Sequence, residues 1–365
     1  MIPVQDLHRQ LETVRGEIDA SIARVLNRSR FILGEEVEAF EREFAAYCTA
    51  SHAVGVGSGT EAIQIAVAAC NLGPGDEVIT VSHTAVGTVA GIEQAGARPV
   101  PVDIDPKRYT MDPGCLEAAV TPRTRAILPV HLYGCPADLA PILDIARRRG
   151  LYLIEDCAQA CGALYRRRRV GSWGHIAAFS FYPTKTLGGF GDGGAVVTSD
   201  PDLAERARTL RQYGWDENRV SRRKGINSRL DEIQAAVLRV HLRHLEAWNA
   251  ERRNLASFYR KSLSSEDILL PQEFEDSQPV HSLYVARHPR RDALRRHLKE
   301  RGIETSVHYP VPIHLQPAYR NLSVNAGDLP RTESAAREVL TLPLFPGMTE
   351  GECEQVADAV RSFHR

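Results

Sequence analysis

The sequence predicts an α/β fold: a large domain on a mostly parallel sheet, then a smaller α+β domain. Three observations carry this reading. Short apolar strands alternate with helical patterns over the first ~200 residues, the signature of helices returning a chain between parallel strands. A single long helical pattern then starts near Arg229. Strands and helices in a different order follow it.

Taken in order, HAVGV (52–56) reads as a strand and GTEAIQIAVAACNL as a helix with its apolar residues at helical spacing. EVITV (77–81) is a strand, followed by a helix through Ala90 to Ala95. RPVPVD is a strand, RAILPVHLY a long apolar strand, and ADLAPILDIARRRG a helix closed by Gly150. LYLIED (151–156) is a strand ending in two acids, and AAFSFY and GAVVT are strands around a glycine-rich loop. The pattern RLDEIQAAVLRVHLRHLEAWNAERRNLASFYRKSL is a connecting helix. Beyond it SLYVARH is a strand, RDALRRHLKERG a helix and ETSVHY a strand, before a Pro-rich loop and a final helix. The expected domains are 1–245 and 246–365.

Charge and cysteine content narrow the function. Lys and Arg total 45 against 46 Asp and Glu, so no basic field exists to hold nucleic acid. The run Arg166–Arg169 is local and reads as a solvated turn. No apolar stretch approaches a membrane span, and MIPVQDLHRQ lacks the cationic and apolar regions of a signal peptide. Seven cysteines without a CxxC pair imply free thiols and a reducing cytoplasm; Cys157 and Cys161 are expected to be buried. His241 and His244 lie one helical turn apart, but no third metal ligand accompanies them, and no metal is expected.

The chemistry gathers at three places. GVGSGTEA (55–62) lies between a strand and a helix, and its small residues would let the first helical N–H groups face an anion. Read as a dinucleotide fingerprint it fails, because Thr60 stands where the third glycine belongs. Asp156, at the carboxyl end of an apolar strand, needs a cationic partner such as a protonated ring nitrogen. Glu155, by alternation, should face the other side. In AFSFYPTKTLGGFGDGGA (178–195), Lys185 stands before five glycines. Thr184 and Phe179 occupy the positions where a P-loop requires glycine. A desolvated lysine keeps a free amine for imine formation, and Ser180 can donate to a phosphate. This inventory suits pyridoxal 5'-phosphate.

In these segments, and in FILGEEVEAFEREFA, AAVTPRTRAILPVHLYG, IEDCAQACGA, INSRLDEIQAAVL and HYPVPIHLQPAY, the chain resembles the DegT/StrS-type sugar nucleotide aminotransferases over nearly its whole length. The resemblance implies a fold type I aminotransferase. Lys185 would bind the cofactor covalently and then shuttle the proton, and Asp156 would keep its pyridine nitrogen protonated. Gln159 would lie near the ring hydroxyl. Gly59, Thr60 and Ser180 would hold the phosphate, with Asn227 reaching it from the neighbouring subunit of a homodimer with shared sites. His308, Tyr309 and His314 would approach the sugar nucleotide. Many members carry an aromatic residue where this chain has Ala85, which leaves His83 as the candidate to stack on the ring. The pattern SHTAV is similar to the branch that aminates C3 of dTDP-3-keto-6-deoxyhexoses with L-glutamate as donor; C4 amination is the alternative. A sugar dehydratase of the same family would commonly replace Lys185, a nicotinamide oxidoreductase would need the missing glycine, and a regulator would have no use for the intact lysine site.

Overall fold

The computed structural model describes residues 1–263 and 268–363. At its centre lies a seven-stranded sheet of β1 (His52–Val56), β2 (Glu77–Val81), β3 (Arg98–Val102), β4 (Thr124–Ile127), β5 (Tyr152–Asp156), β6 (Ile176–Ser180) and β7 (Gly194–Thr198). Their order across the sheet is β1-β7-β6-β5-β4-β2-β3. The run from β3 through β2, β4 and β5 to β6 is parallel. Only β7 is reversed, antiparallel to both β6 and β1. The connections explain this. Helices such as Gly59–Ala69, Val86–Gln94 and Leu139–Arg149 carry the chain back between parallel strands, whereas the glycine loop after β6 turns straight back. EVITV and GAVVT are buried along their whole length, as β-branched strands covered on both faces should be.

Both edges of the sheet are closed to further pairing. On β1, the Gly55 N–H donates to Glu41 Oε1 at 2.8 Å, and its carbonyl accepts from Arg211 Nη1 at 2.8 Å. Glu41 and Arg211 form an ion pair with each other. On β3, the Arg98 N–H is turned inward to Asp76 O at 2.8 Å, which points residues 99 and 101 outward. Both are prolines and present no N–H.

Two expectations fail locally. RAILPVHLY is not one strand: β4 stops at Ile127, and after Pro129 only a single bridge, Val130 to Asp156, precedes a 3₁₀ turn at Leu132–Gly134. A proline cannot donate to a ladder, so the pairing breaks there. ETSVHY contributes only one bridge, Ser306 to Thr341. The second sheet instead pairs β8 (Tyr284–Arg287) with β9 (Val339–Leu342), a strand that follows helix Pro330–Glu338 with no intervening turn signal.

The connecting helix spans Glu232–Ser262, 31 residues. Ala235, Leu238 and Leu245 belong to the core around the main sheet, whereas Leu255, Ala256 and Tyr259 belong to a second core with β8, β9 and the last helix. At its start, the Glu232 carboxylate accepts from the N–H groups of Gly34, Glu36 and Val37, capping helix Glu35–Tyr47. Arg166 and Arg167 form the tip of a turn in left-handed backbone, as a solvated turn requires. The four arginines do not act as one patch, because Arg168 lies over Trp173 and Arg169 over Tyr47.

Candidate active site

Asp156 ends β5 and Lys185 follows β6, its parallel neighbour, so the two groups emerge at the same edge of the sheet. Asp156 is 3% exposed. Its Oδ2 accepts from Thr88 Oγ1 at 2.8 Å and its Oδ1 from the Ala158 N–H at 3.1 Å. Thr84 in turn lies 2.8 Å from Thr88. Burial pushes the Asp156 carboxyl above its ordinary range, against the opposing pull of these bonds and of Lys185. Burial also lowers the Lys185 pKa, while the charge of Asp156 opposes that shift. Each group would prefer a cationic or anionic partner that the other supplies only in part.

The lysine loop is held from the connecting helix. His241 Nδ1 donates to the Gly188 carbonyl at 2.7 Å, and Gln234 Oε1 accepts from the Phe190 N–H at 2.7 Å. His241 is buried, and His244 turns away to Glu17 at 2.8 Å, so the histidine pair is not a metal site. Glu155 faces away from Asp156, as alternation requires. Fully buried, it accepts from the N–H groups of Gly171, Trp173 and Gly174 at 2.7–2.8 Å and meets His131 Nε2 at 3.1 Å. Cys157 and Cys161 are buried free thiols.

The anion cradle is the start of helix Gly59–Ala69. Ser58 caps it by accepting from the Glu61 N–H, which leaves the Gly59 and Thr60 N–H groups without intrahelical partners. A Cβ on Gly59 would lie 2.6 Å from Ser180 Cβ, and one on Gly87 would lie 2.8 Å from Thr60 Oγ1. Glycine at both positions brings Gly59, Thr60 and Ser180 together and leaves room beside a positive helix end. The cradle fits a phosphate, and the buried acid and amine beside it fit a pyridine ring and its aldehyde. Asn227 is exposed on its own chain, next to Ser228, whose hydroxyl accepts from the Gly57 N–H at 2.9 Å.

A cavity of about 700 Å³ opens over Lys185. Gln159, His308 and Tyr309 line it together with Arg295 and Lys299. Gln159 Nε2 donates to the Tyr309 hydroxyl at 3.1 Å, and its Oε1 accepts from the Tyr133 N–H at 2.6 Å. His308 Nδ1 meets Thr341 Oγ1 at 2.8 Å.

Two expected contacts are not formed. His314 is buried between Ser82 Oγ, 2.7 Å from its Nδ1, and Glu333. It ties the Pro-rich loop to the end of β2 and does not line the cavity. His83 is 1% exposed, with its ring against Tyr109 and Tyr133. Protein covers it, so it has no open face on which a cofactor ring could stack. Burial lowers its pKa to about 4, which keeps it neutral. Thr88, Tyr133, Gln234 and His241 complete the site; Tyr133 and Gln234 lie within the segments AAVTPRTRAILPVHLYG and INSRLDEIQAAVL, but nothing local marks their role, and each of the four lies at least 26 positions from the group it holds.

Fold and site together define a fold type I aminotransferase: an amine and a carboxylate at adjacent strand ends beside an anion-binding helix start. The chain belongs to the DegT/DnrJ/EryC1/StrS aminotransferase family, whose model matches residues 12–361. It is 52% identical over 363 residues to the dTDP-3-amino-3,4,6-trideoxy-α-D-glucose transaminase of Streptomyces venezuelae, covering 99% of this chain and 96% of that one. The crystal structure of S. venezuelae DesV in complex with a ketimine intermediate superposes with a TM-score of 0.97, at 52% identity, covering 99% of this chain and 98% of that one. NtdA of Bacillus subtilis, solved with bound cofactor PMP, is 32% identical with a TM-score of 0.88, covering 96% of this chain and 81% of that one. Among the described residues no helix is long and apolar enough to cross a membrane.

Proposed function

We propose that this protein transfers the amino group of L-glutamate to C3 of a dTDP-linked 3-keto-6-deoxyhexose, with pyridoxal 5'-phosphate as cofactor. The observation that carries the reading is the half-buried Lys185 amine, its pKa lowered by desolvation, with the buried Asp156 and the Gly59–Thr60–Ser180 cradle. When bound, the cofactor supplies an electron sink for the carbon that loses or gains a proton. Lys185, its pKa lowered by burial, would hold the cofactor through its free amine and would carry that proton as base and acid. Asp156, its pKa raised by burial, would be kept ionised by a protonated pyridine nitrogen and would act through its charge, not by proton transfer. Gln159 would lie near the ring hydroxyl, and Gly59, Thr60 and Ser180 would hold the phosphate.

Asn227 is exposed on its own chain, as a residue that reaches a neighbouring subunit's site in a homodimer would be. The proposed boundary at 245/246 falls within the connecting helix, between the residues of the two cores. The free thiols suit a reducing cytoplasm. Arg295 and Lys299, one turn apart on helix Arg291–Glu300, support a substrate that carries a diphosphate. Replacing both with alanine is expected to raise KM for the sugar nucleotide roughly tenfold, as lost charge-assisted bonds would, and to leave the glutamate half-reaction unchanged. Half-reaction kinetics with each substrate check this.

The deciding experiment is an absorbance spectrum of the reconstituted protein before and after L-glutamate. Glutamate is expected to convert the visible band to a near-ultraviolet one, and a 3-keto sugar nucleotide to restore it. Restoration by a 4-keto sugar nucleotide alone would move the reaction to C4. A protein that forms no band with added pyridoxal phosphate refutes the cofactor assignment.

A further inference from the structure

Tyr133 is held in a way its surroundings do not require for packing alone. It is a bulky residue in left-handed backbone, φ 60° and ψ 8°, inside the turn Leu132–Gly134, and it is 5% exposed. Such a conformation persists only where neighbouring structure enforces it. Three bonds do so. Its N–H donates to Gln159 Oε1, its hydroxyl donates to the His308 carbonyl, and His83 Nε2 lies 2.8 Å from the same hydroxyl.

The protons can be assigned from this arrangement. A carbonyl only accepts, so the single phenol proton goes to His308 O. The phenol oxygen must then accept from His83, which carries its proton on Nε2. His83 Nδ1 is left as a bare acceptor, and it has no partner among the described residues. The same logic runs the other way through the backbone. The Tyr133 N–H occupies Gln159 Oε1, so the amide must present its NH₂ side to Tyr309. Because the Tyr309 hydroxyl accepts that bond, its own proton is free to be given to a ligand in the cavity that it lines. Were the amide to flip, Gln159 would accept from Tyr309 and the hydroxyl could only accept from the ligand.

We propose that Tyr133 is a positioning residue that sets the donor polarity of Gln159 and Tyr309 toward the cleft. Through its hydroxyl it ties the His308–Tyr309 segment to the turn that orients Gln159, so that both side chains offer protons to a ligand oxygen. The substrate end this favours is a carbonyl, hydroxyl or phosphoryl oxygen. The inference rests on the aminotransferase reading of the cleft.

The test is a double-mutant cycle on the holoenzyme with Tyr133→Phe and Tyr309→Phe. Tyr133→Phe alone is expected to lower kcat/KM for the keto sugar nucleotide by about 10- to 100-fold, the range that misplaced groups produce. In the Tyr309→Phe background the same change is expected to cost less than about twofold, because the two act as one unit. Tyr133→Phe keeps the N–H that holds Gln159 and removes only the hydroxyl tie, so equal losses in both backgrounds, or no loss in either, would overturn the positioning of Tyr309 through that hydroxyl. A second measurement needs no variant and no turnover: ¹⁵N chemical shifts of the histidines in the apo-protein. The His83 ring is expected to carry its proton on Nε2, and a proton on Nδ1 would refute the assignment even if Tyr133→Phe failed to fold. If glutamate does not convert the visible band, the function reading fails while the tautomer result still stands.

Discussion

Lys185→Ala is expected to abolish catalytic transamination while leaving the protein folded. On the proposed reading the amine serves both as nucleophile and as proton carrier; the cavity's other lysine, Lys299, stands on helix Arg291–Glu300, away from the strand end that carries Asp156. Loss of the proton-transfer role alone would cost on the order of 10²–10⁴-fold, and loss of the covalent role adds to it. Multiple-turnover assays with L-glutamate and a keto sugar nucleotide should therefore fall by at least about 10³-fold. The parent's visible band should vanish in the variant. Appreciable turnover by pure, folded variant would refute the role. The pH dependence follows from the same burial. Attack requires the unprotonated amine, and burial lowers the Lys185 pKa from 10.5, so more free amine exists at neutral pH than for an exposed lysine. The rate at which the apo-protein captures cofactor should rise with pH and level off below the range where an ordinary lysine titrates. Stopped-flow absorbance across pH measures this; a rate still rising beyond pH 10.5 would contradict it.

The second large effect concerns stability. Glu155→Ala removes a fully buried carboxylate that satisfies three backbone N–H groups and His131. The Gly171 N–H and His131 are buried, whereas Trp173 and Gly174 are partly exposed, so the loss should be ~3 kcal/mol, at the low end of the range for breaking a buried charged network. Chemical denaturation and melting of the apo-protein read it. Glu155→Gln should recover only part of the loss, since an amide offers one good acceptor where the carboxylate offers two. A variant as stable as the parent would show that the turn Gly171–Gly174 does not depend on this group.

Local signals made the juxtaposition of Asp156 and Lys185 readable from sequence. A strand-end acid, a lysine before a glycine loop and a small-residue turn between strand and helix are contiguous patterns, and Asp156, Lys185, Gly59, Thr60 and Ser180 stand together as expected. Glu155 also faces the other side, because the period of a strand leaves no alternative. What escaped was cross-chain. Thr88 is 68 positions from the Asp156 it holds, and His241 is 53 from Gly188. Nothing local marks such partners; they exist only once helices dock on the sheet. His83 and His314 misled for the converse reason. A histidine in a plausible loop is polar enough to meet a ligand, yet packing recruited His314 to Ser82 and His83 to Tyr133. The strand error at RAILPVHLY came from weighing apolar content above Pro129, whose missing N–H ends the ladder.

The treatment of Gly55 at one edge of the sheet, and of Pro99 and Pro101 at the other, limits how the molecule can grow. An open edge is a template on which a foreign strand, or a second copy, can crystallise one hydrogen bond at a time. Here a glutamate and an arginine occupy the vacant pair on one side, and the donors needed on the other were never encoded. Growth through the edges of this sheet is thereby disfavoured, which leaves side chains on helices and loops as the surfaces on which copies could meet with a defined geometry. A partly unfolded chain that kept this sheet would likewise offer little for fibrils to seed upon, a safeguard that a single Pro101→Val change would begin to remove.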